Sequence, residues 1–259
     1  SKLGRKQCSI NLGLTVNQVN YMAQSLSLRC INGFGQDNLN INDYNSSIGA
    51  YILGFLWSDG HVRKKFNKIS LTIIEDDAEE IRSMFEGRDH WAIYNIDRSN
   101  IKTRNCKNAT EFSISSESLS KLLKDCDYTN KSVKSESKIV DFIDEEYHHY
   151  FLRGISDGDG CFYYNEKNKC RQFSISNSYD YDWSYLESVF ERLGIKYKLV
   201  KFIRKNKNSR YSQIRVTNKE GVVKVGEYIY NGDFFGLSRK KTKFELIKKS
   251  CEFKNTKNN

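Results

Sequence analysis

Two eleven-residue runs constrain this chain more than anything else in it: AYILGFLWSDG at residues 50–60 and YFLRGISDGDG at residues 150–160. Each has the length and apolar content of a buried helix and closes on Asp-Gly. Asp59 and Asp159 lie 100 positions apart. Gly54 and Ser58 share a helix face, as do Gly154 and Gly158. Small side chains four apart let two helix backbones approach closely. One Asp-Gly behind a helix is an ordinary ending, with Gly just past the last turn. Two, each behind a Gly-x-x-x-small helix, mark an internal repeat whose copies meet through those faces.

The segments downstream of the two runs share one rhythm. Residues 61–66 and 68–74 read as paired strands, with Ile69, Leu71 and Ile73 alternating with Ser70 and Thr72. Residues 161–165 and 171–177 match them, with Phe173 and Ile175 alternating with Ser174 and Ser176. Period two gives a sheet with one buried and one polar face. Helical stripes come next, through Ala78, Ile81 and Phe85, and through Leu186, Val189, Phe190 and Leu193. Further strands are expected at 91–97, 111–115, 195–204 and 211–217, with closing helices at 118–125, 220–230 and 238–250. The expected class is α+β, built from two pseudo-symmetric αββαββα repeats at residues 47–147 and 148–259, the second ending in a short polar tail.

Ahead of the repeats stand a small α-helical domain at 1–31 and an Asn-rich linker at 32–46. Thr15 and Gln18 have the spacing of a capping box that opens a second helix, whose apolar stripe is Val19, Met22 and Leu26. This reads as a helix-turn-helix-like extension. Asn17, Gln18, Asn20 and Tyr21 would lie near the start of its second helix, where a recognition helix contacts bases. A packed two-helix extension is the plainer alternative.

The charge balance bears on the partner. Net charge is +10 and the pI about 9.1, which points to a polyanion. No apolar run approaches the ~20 residues of a membrane helix. Hydrophobic residues make up 38%, enough for a core and too many for global disorder. The 7 Cys are odd in number and form no CxxC, and with 4 His no zinc spacing arises. Reduced thiols in an intracellular, reducing compartment are expected.

Packing the two helices side by side puts Asp59 and Asp159 at adjacent C-termini, which carry partial negative charge. Two carboxylates placed there raise each other's pKa or need a cation between them. A hard divalent ion such as Mg²⁺, or Mn²⁺ or Ca²⁺ in the same place, takes oxygen ligands and relieves the repulsion. Beside a phosphodiester such an ion can assist hydrolysis.

These residues resemble the LAGLIDADG family of homing endonucleases in its monomeric, two-motif form. Residues 52–60 match the first motif copy and 152–160 the second, and the order of elements extends the similarity over roughly residues 47 to 250. The resemblance implies a DNA-binding β-saddle packed through the two motif helices. It also implies a Mg²⁺-dependent endodeoxyribonuclease, encoded in an intron or intein-like mobile element. Such an enzyme cuts both strands of a long double-stranded DNA target and leaves short 3′ overhangs. It takes no small-molecule substrate and no membrane. Asp59 and Asp159 would be catalytic and bind the metal. Glu75 and Asn177, at the ends of second strands, would help hold water. Lys131 and Lys240 would support charge at the phosphate, with Lys241 a close rival of Lys240. Trp57 departs from the pattern by replacing the first acidic residue, which the second copy keeps as Asp157. Arg153 and Ser156 make the second helix more polar than usual. An RNA maturase for intron splicing, or a DNA-binding regulator that does not cleave, is the alternative on the same fold.

A saddle needs polar, basic strand faces. Ile214 and Val216 should point inward, leaving Tyr211, Gln213 and Arg215 outward. Lys198, Lys201, Arg204 and Lys205 lie on the preceding strand and turn. In the first repeat the candidates are Arg63, Lys65, Arg98, Lys102 and Arg104. Arg and Gln can read base edges, while Lys mostly meets phosphate.

Overall fold

The structure, a computed structural model, describes residues 39–63, 67–86, 91–99, 107–204 and 209–252. The N-terminal helix pair with Asn17, Gln18, Asn20 and Tyr21 lies outside the described residues. So do Lys65, Lys102, Arg104 and Lys205, and the side chain of Arg204.

Helix α1 (Ser47–Asp59) is opened by Ser46, whose side chain accepts from the Gly49 N–H. It closes with the Gly60 N–H returned to Leu56 O. There follow β1 (Gly60–Arg63), β2 (Lys68–Ile74), α2 (Glu75–Ile81), β3 (Ala92–Ile96), β4 (Ala109–Ser115) and α3 (Glu117–Asp125). A connection holding the short α4 (Ser137–Val140) leads to α5 (His148–Gly158). The pattern then recurs as β5 (Gly160–Asn165), β6 (Cys170–Ser178), α6 (Ser184–Arg192), β7 (Lys198–Arg204), β8 (Ser209–Val216) and α7 (Lys219–Ile229), with α8 (Ser238–Glu252) last. The fold is α+β, with the αββαββα order in each half. One expected strand starts later, at Lys198 rather than 195. Gly194 takes φ +64 at the end of α6, and the Ile195 N–H returns to Phe190 O, so this helix stop uses the residues in between.

Each half holds a four-stranded antiparallel sheet, ordered β1-β2-β4-β3 and β5-β6-β8-β7. The alternation in sequence becomes two faces. Ile69, Leu71, Phe112 and Ile114 turn into the core from the first sheet, and Phe173, Ile175, Ile214 and Val216 from the second. One continuous hydrophobic core spans both halves. Its centre is the α1–α5 contact, the largest between any two described elements. Helix α1 is buried on all sides from Gly49 to Trp57, and α5 from Tyr150 to Asp157. A helix apolar all round, as the buried part of α1 is, belongs in an interior. Glycine permits the approach: a Cβ on Gly54 would overlap the Phe151 carbonyl, and one on Gly154 the Tyr51 carbonyl. No described helix is long and apolar enough to cross a membrane.

Candidate active site

The two helices end together. A Cβ on Gly158 would overlap the Ser58 side chain and come within 3.1 Å of Asp59 Oδ2. The residue next to Gly158 is Asp159, so the two acids stand at the same end of the helix pair. Both carboxylates open to solvent. The protein mass behind them raises the pKa of each. Asp159 is pushed up to about 6, first by that desolvation and then by the Asp59 charge beside it. Among the described residues neither carboxylate makes an ion pair or a hydrogen bond.

Lysines from elsewhere in the chain occupy the helix ends. Lys131 Nζ donates to Ser58 O at 2.7 Å, Gly60 O at 2.8 Å and Leu56 O at 3.2 Å. Tyr128 Oη donates to Leu56 O at 2.6 Å. In the second half Lys240 Nζ donates to Ser156 O at 3.3 Å and to Gly160 O. Cations there offset the negative end of a helix. Both lysines also act on the carboxylates at longer range, lowering their pKa. Desolvation pulls Lys131 down to about 8 against the pull of Asp159 and Asp59. Lys241 takes another direction, with its ammonium 4.1 Å from the Phe234 ring centroid. Of the two rivals, Lys240 is the one at the helix end.

The other expected residues are placed less evenly. Gly60 faces Leu71 and Gly160 faces Ile175 across their sheets, which fixes equivalent positions in the two halves. Glu75 lies four residues past that mark, at the start of α2, and Asn177 only two past it, paired with Ser212. They do not occupy matching places. Asn177 Oδ1 accepts from the Ser178 N–H.

The departures in the motif have distinct fates. Trp57 packs edge-on against Tyr128 at 5.7 Å between ring centroids. Its counterpart Asp157 is buried and accepts from Tyr51 Oη at 2.8 Å and the Leu237 N–H at 2.9 Å. Arg153 is wholly buried and donates to the carbonyls of Ile229, Asn231, Asp233 and Phe235. It thereby grips the loop that leads into α8 and Lys240. The sequence alone marks Arg153 only as added polarity, because its partners lie nearly 80 residues on.

The face of each sheet opposite the core is polar and largely open. In the first it carries His61, Arg63, Lys68, Tyr94 and Glu111, where Lys68 and Glu111 pair at 2.6 Å. Arg98 follows β3, its N–H donating to Asn108 Oδ1. In the second sheet the face carries Cys161, Tyr163, Gln172, Lys198, Phe202, Tyr211, Gln213 and Arg215. Arg215 donates to Gln213 at 2.7 Å and lies over the Phe202 ring, which stacks on Tyr211. Lys201 stands apart from this group. It pairs with Ser212, whose face is that of Ile214, and there bonds Asp180 at 3.4 Å. Tyr94, Lys68, Tyr163 and Phe202 were missed in sequence. Strand alternation was the signal, but it needs the register to say which side faces out.

The chemistry of the donors suits a hard divalent cation. Two carboxylates side by side, without a direct counter-ion among the described residues, offer oxygen ligands at a negative helix end. No group of three or more His, Cys, Asp or Glu able to hold a metal occurs among the described residues. Two protein carboxylates leave room for water and substrate phosphate, the usual setting for Mg²⁺.

The chain is similar in part of its sequence and in its fold to known proteins. Residues 146–230 match the family described as LAGLIDADG-like domain. No curated protein matches the chain by sequence. Among solved structures, the LAGLIDADG meganuclease I-AabMI bound to uncleaved DNA is 13% identical with a TM-score of 0.51, over 85% of this chain and 93% of that one. The homing endonuclease I-GzeII in complex with its DNA target is 12% identical with a TM-score of 0.49, over 81% and 91%. The N-terminal LAGLIDADG domain of DUF199/WhiA is 16% identical with a TM-score of 0.45, over 76% and 87%.

Proposed function

Taking as premise that this chain carries the LAGLIDADG fold, with a LAGLIDADG-like domain at residues 146–230, we propose that it is a site-specific, divalent-metal-dependent DNA endonuclease. It makes a double-strand break in a long target and leaves short 3′ overhangs. The observation that carries this reading is the pair of carboxylates, Asp59 and Asp159, set together where α1 and α5 end.

The duplex lies against the polar sheet faces. Arg63, Lys198 and Arg98 neutralise phosphates, and Gln213, Arg215 and Tyr211 meet base edges. Asp59 and Asp159 would hold the divalent cation, which when bound supplies Lewis-acid stabilisation of charge at the scissile phosphate. Lys131 and Lys240 add positive charge beside the same place, held by helix-end carbonyls so that they need no reorganisation when the DNA arrives.

The test is a selection of sites from a random DNA library in Mg²⁺ and in Ca²⁺. Cut fragments with 3′ overhangs in Mg²⁺ support the reading. Asp59→Asn and Asp159→Asn should abolish cutting while binding of the selected site persists. Normal cutting by both variants would sink the assignment. Enriched but uncut sites in Mg²⁺ would mean a regulator, and enrichment of intron RNA over DNA a maturase.

A further inference from the structure

Each lysine reaches the helix end of its own half, yet the segment that carries it is fastened to the other half. Lys240 sits in the first turn of α8, beside Arg239. Arg239 donates twice to Asp77 of α2, at 2.7 and 2.6 Å, and the Ser238 N–H donates to Glu80 Oε2 at 2.5 Å. Asp77 is only 6% exposed and Arg239 is its ion partner. Lys131 opens a segment fastened to the end of β6 and the stretch after it. Ser178 Oγ donates to Ser132 O, the Asp182 N–H to Val133 O, the Tyr185 N–H to Ser135 Oγ, and Tyr181 Oη to the buried Glu136 at 2.5 Å. Asp77 lies in α2 and Tyr181 between β6 and α6, each on the segment that follows the second strand of its half. The segment after the second strand of each half is thus used, with different chemistry, to anchor the lysine-bearing segment of the other.

We propose that these cross-half anchors set the two lysines for cleavage, Asp77 and Arg239 being positioning residues for Lys240, and Tyr181 and Glu136 for Lys131. The inference rests on the endonuclease reading. It makes the two strand-cutting centres composite, so that damage at one anchor falls on one strand. Neither the Asp77–Arg239 pair nor the Tyr181–Glu136 pair hydrogen-bonds Asp59, Asp159 or a side chain proposed to meet DNA, so binding of the target should be spared.

The experiment uses the full chain and a supercoiled plasmid bearing a site selected from the library. Asp77→Asn should slow the cutting of one strand on the order of 10- to 100-fold, as expected for a misplaced catalytic group, and nicked circles accumulate. Tyr181→Phe should slow the other strand. The charge swap D77R/R239D should restore the first. Equal slowing of both strands, or none, overturns the proposal. A second readout needs no cutting: limited acetylation of the DNA-free protein with acetic anhydride, read by mass spectrometry. Asp77→Asn should raise labelling of Lys240 severalfold and leave Lys131 unchanged, and Tyr181→Phe the reverse. An unchanged labelling pattern overturns the anchors even if the protein cuts. A wild type that binds without cutting overturns the endonuclease reading, and the labelling still decides the anchors.

Discussion

Burial keeps Glu136 protonated up to about pH 7, because no water reaches its carboxyl and ionisation there is opposed by desolvation. Tyr181 donates to one of its oxygens, while the other has no partner among the described residues. The unfolded chain ionises such a group near 4.5 and the folded chain near 7. The stability it contributes is whole below 4.5 and is lost as pH rises through about 7. Urea midpoints of the wild type should therefore decline over that window, and Glu136→Gln should flatten the decline. Equal slopes in the two proteins would contradict this account. Asp159 has a raised pKa for a second reason, the neighbouring charge. Asp159→Asn removes that repulsion, so in metal-free buffer it should melt at or above the temperature of the wild type. A residue kept at a cost to stability is what a working site contains.

Among the elements, the α1–α5 pair answers for both the core and the site. The Tyr51 carbonyl stands where a side chain on residue 154 would begin, so Gly154→Ala must push the helices apart. Overpacking of this kind costs about 1–3 kcal/mol. Thermal melts should report a loss in that range, and cutting should fall further than stability does, because separating the helices separates Asp59 from Asp159. Full activity at normal stability would show that the helices have slack. The loop before α8 is the second element with a double duty. Three of its carbonyls, those of Asn231, Asp233 and Phe235, on Arg153 and the Leu237 N–H on Asp157 tie it to the motif helix. Satisfying that many backbone groups inside the core leaves little freedom to the turn that presents Lys240.

At the scale of the whole molecule, charge is the lever. On the proposed reading, a net +10 would let the protein displace counterions from a duplex. Binding of a selected site should weaken steeply as salt rises, log K falling by about 0.9 per phosphate neutralised for each unit of log salt. A flat response would argue against a duplex held on the sheet faces. The carboxylate pair gives a readout that needs no DNA. Mg²⁺ or Ca²⁺ should raise the melting temperature of the wild type, since a ligand that binds only the folded chain stabilises it. Asp59→Asn and Asp159→Asn should each lose that increment, and a shift kept by both would place the cation elsewhere.

Period and spacing in the sequence alone determined the two repeats, the order of their elements and the meeting of Asp59 with Asp159. These depend on local hydrophobic rhythm and on glycine, whose effect on helix approach holds wherever the helix lies. Tertiary structure decided the rest. Which strand face turns outward depended on register, so Lys201 parted from Gln213 and Arg215 while Tyr94 and Phe202 joined the open faces. Glu75 and Asn177, expected at equivalent strand ends, stand at unequal distances past the motif glycines' partners. Arg153, Asp77 and Tyr181 found partners 45 to 162 residues away along the chain. No local pattern encodes such pairings, because a hydrogen bond or ion pair depends on distance in space, and only the packed core sets that distance.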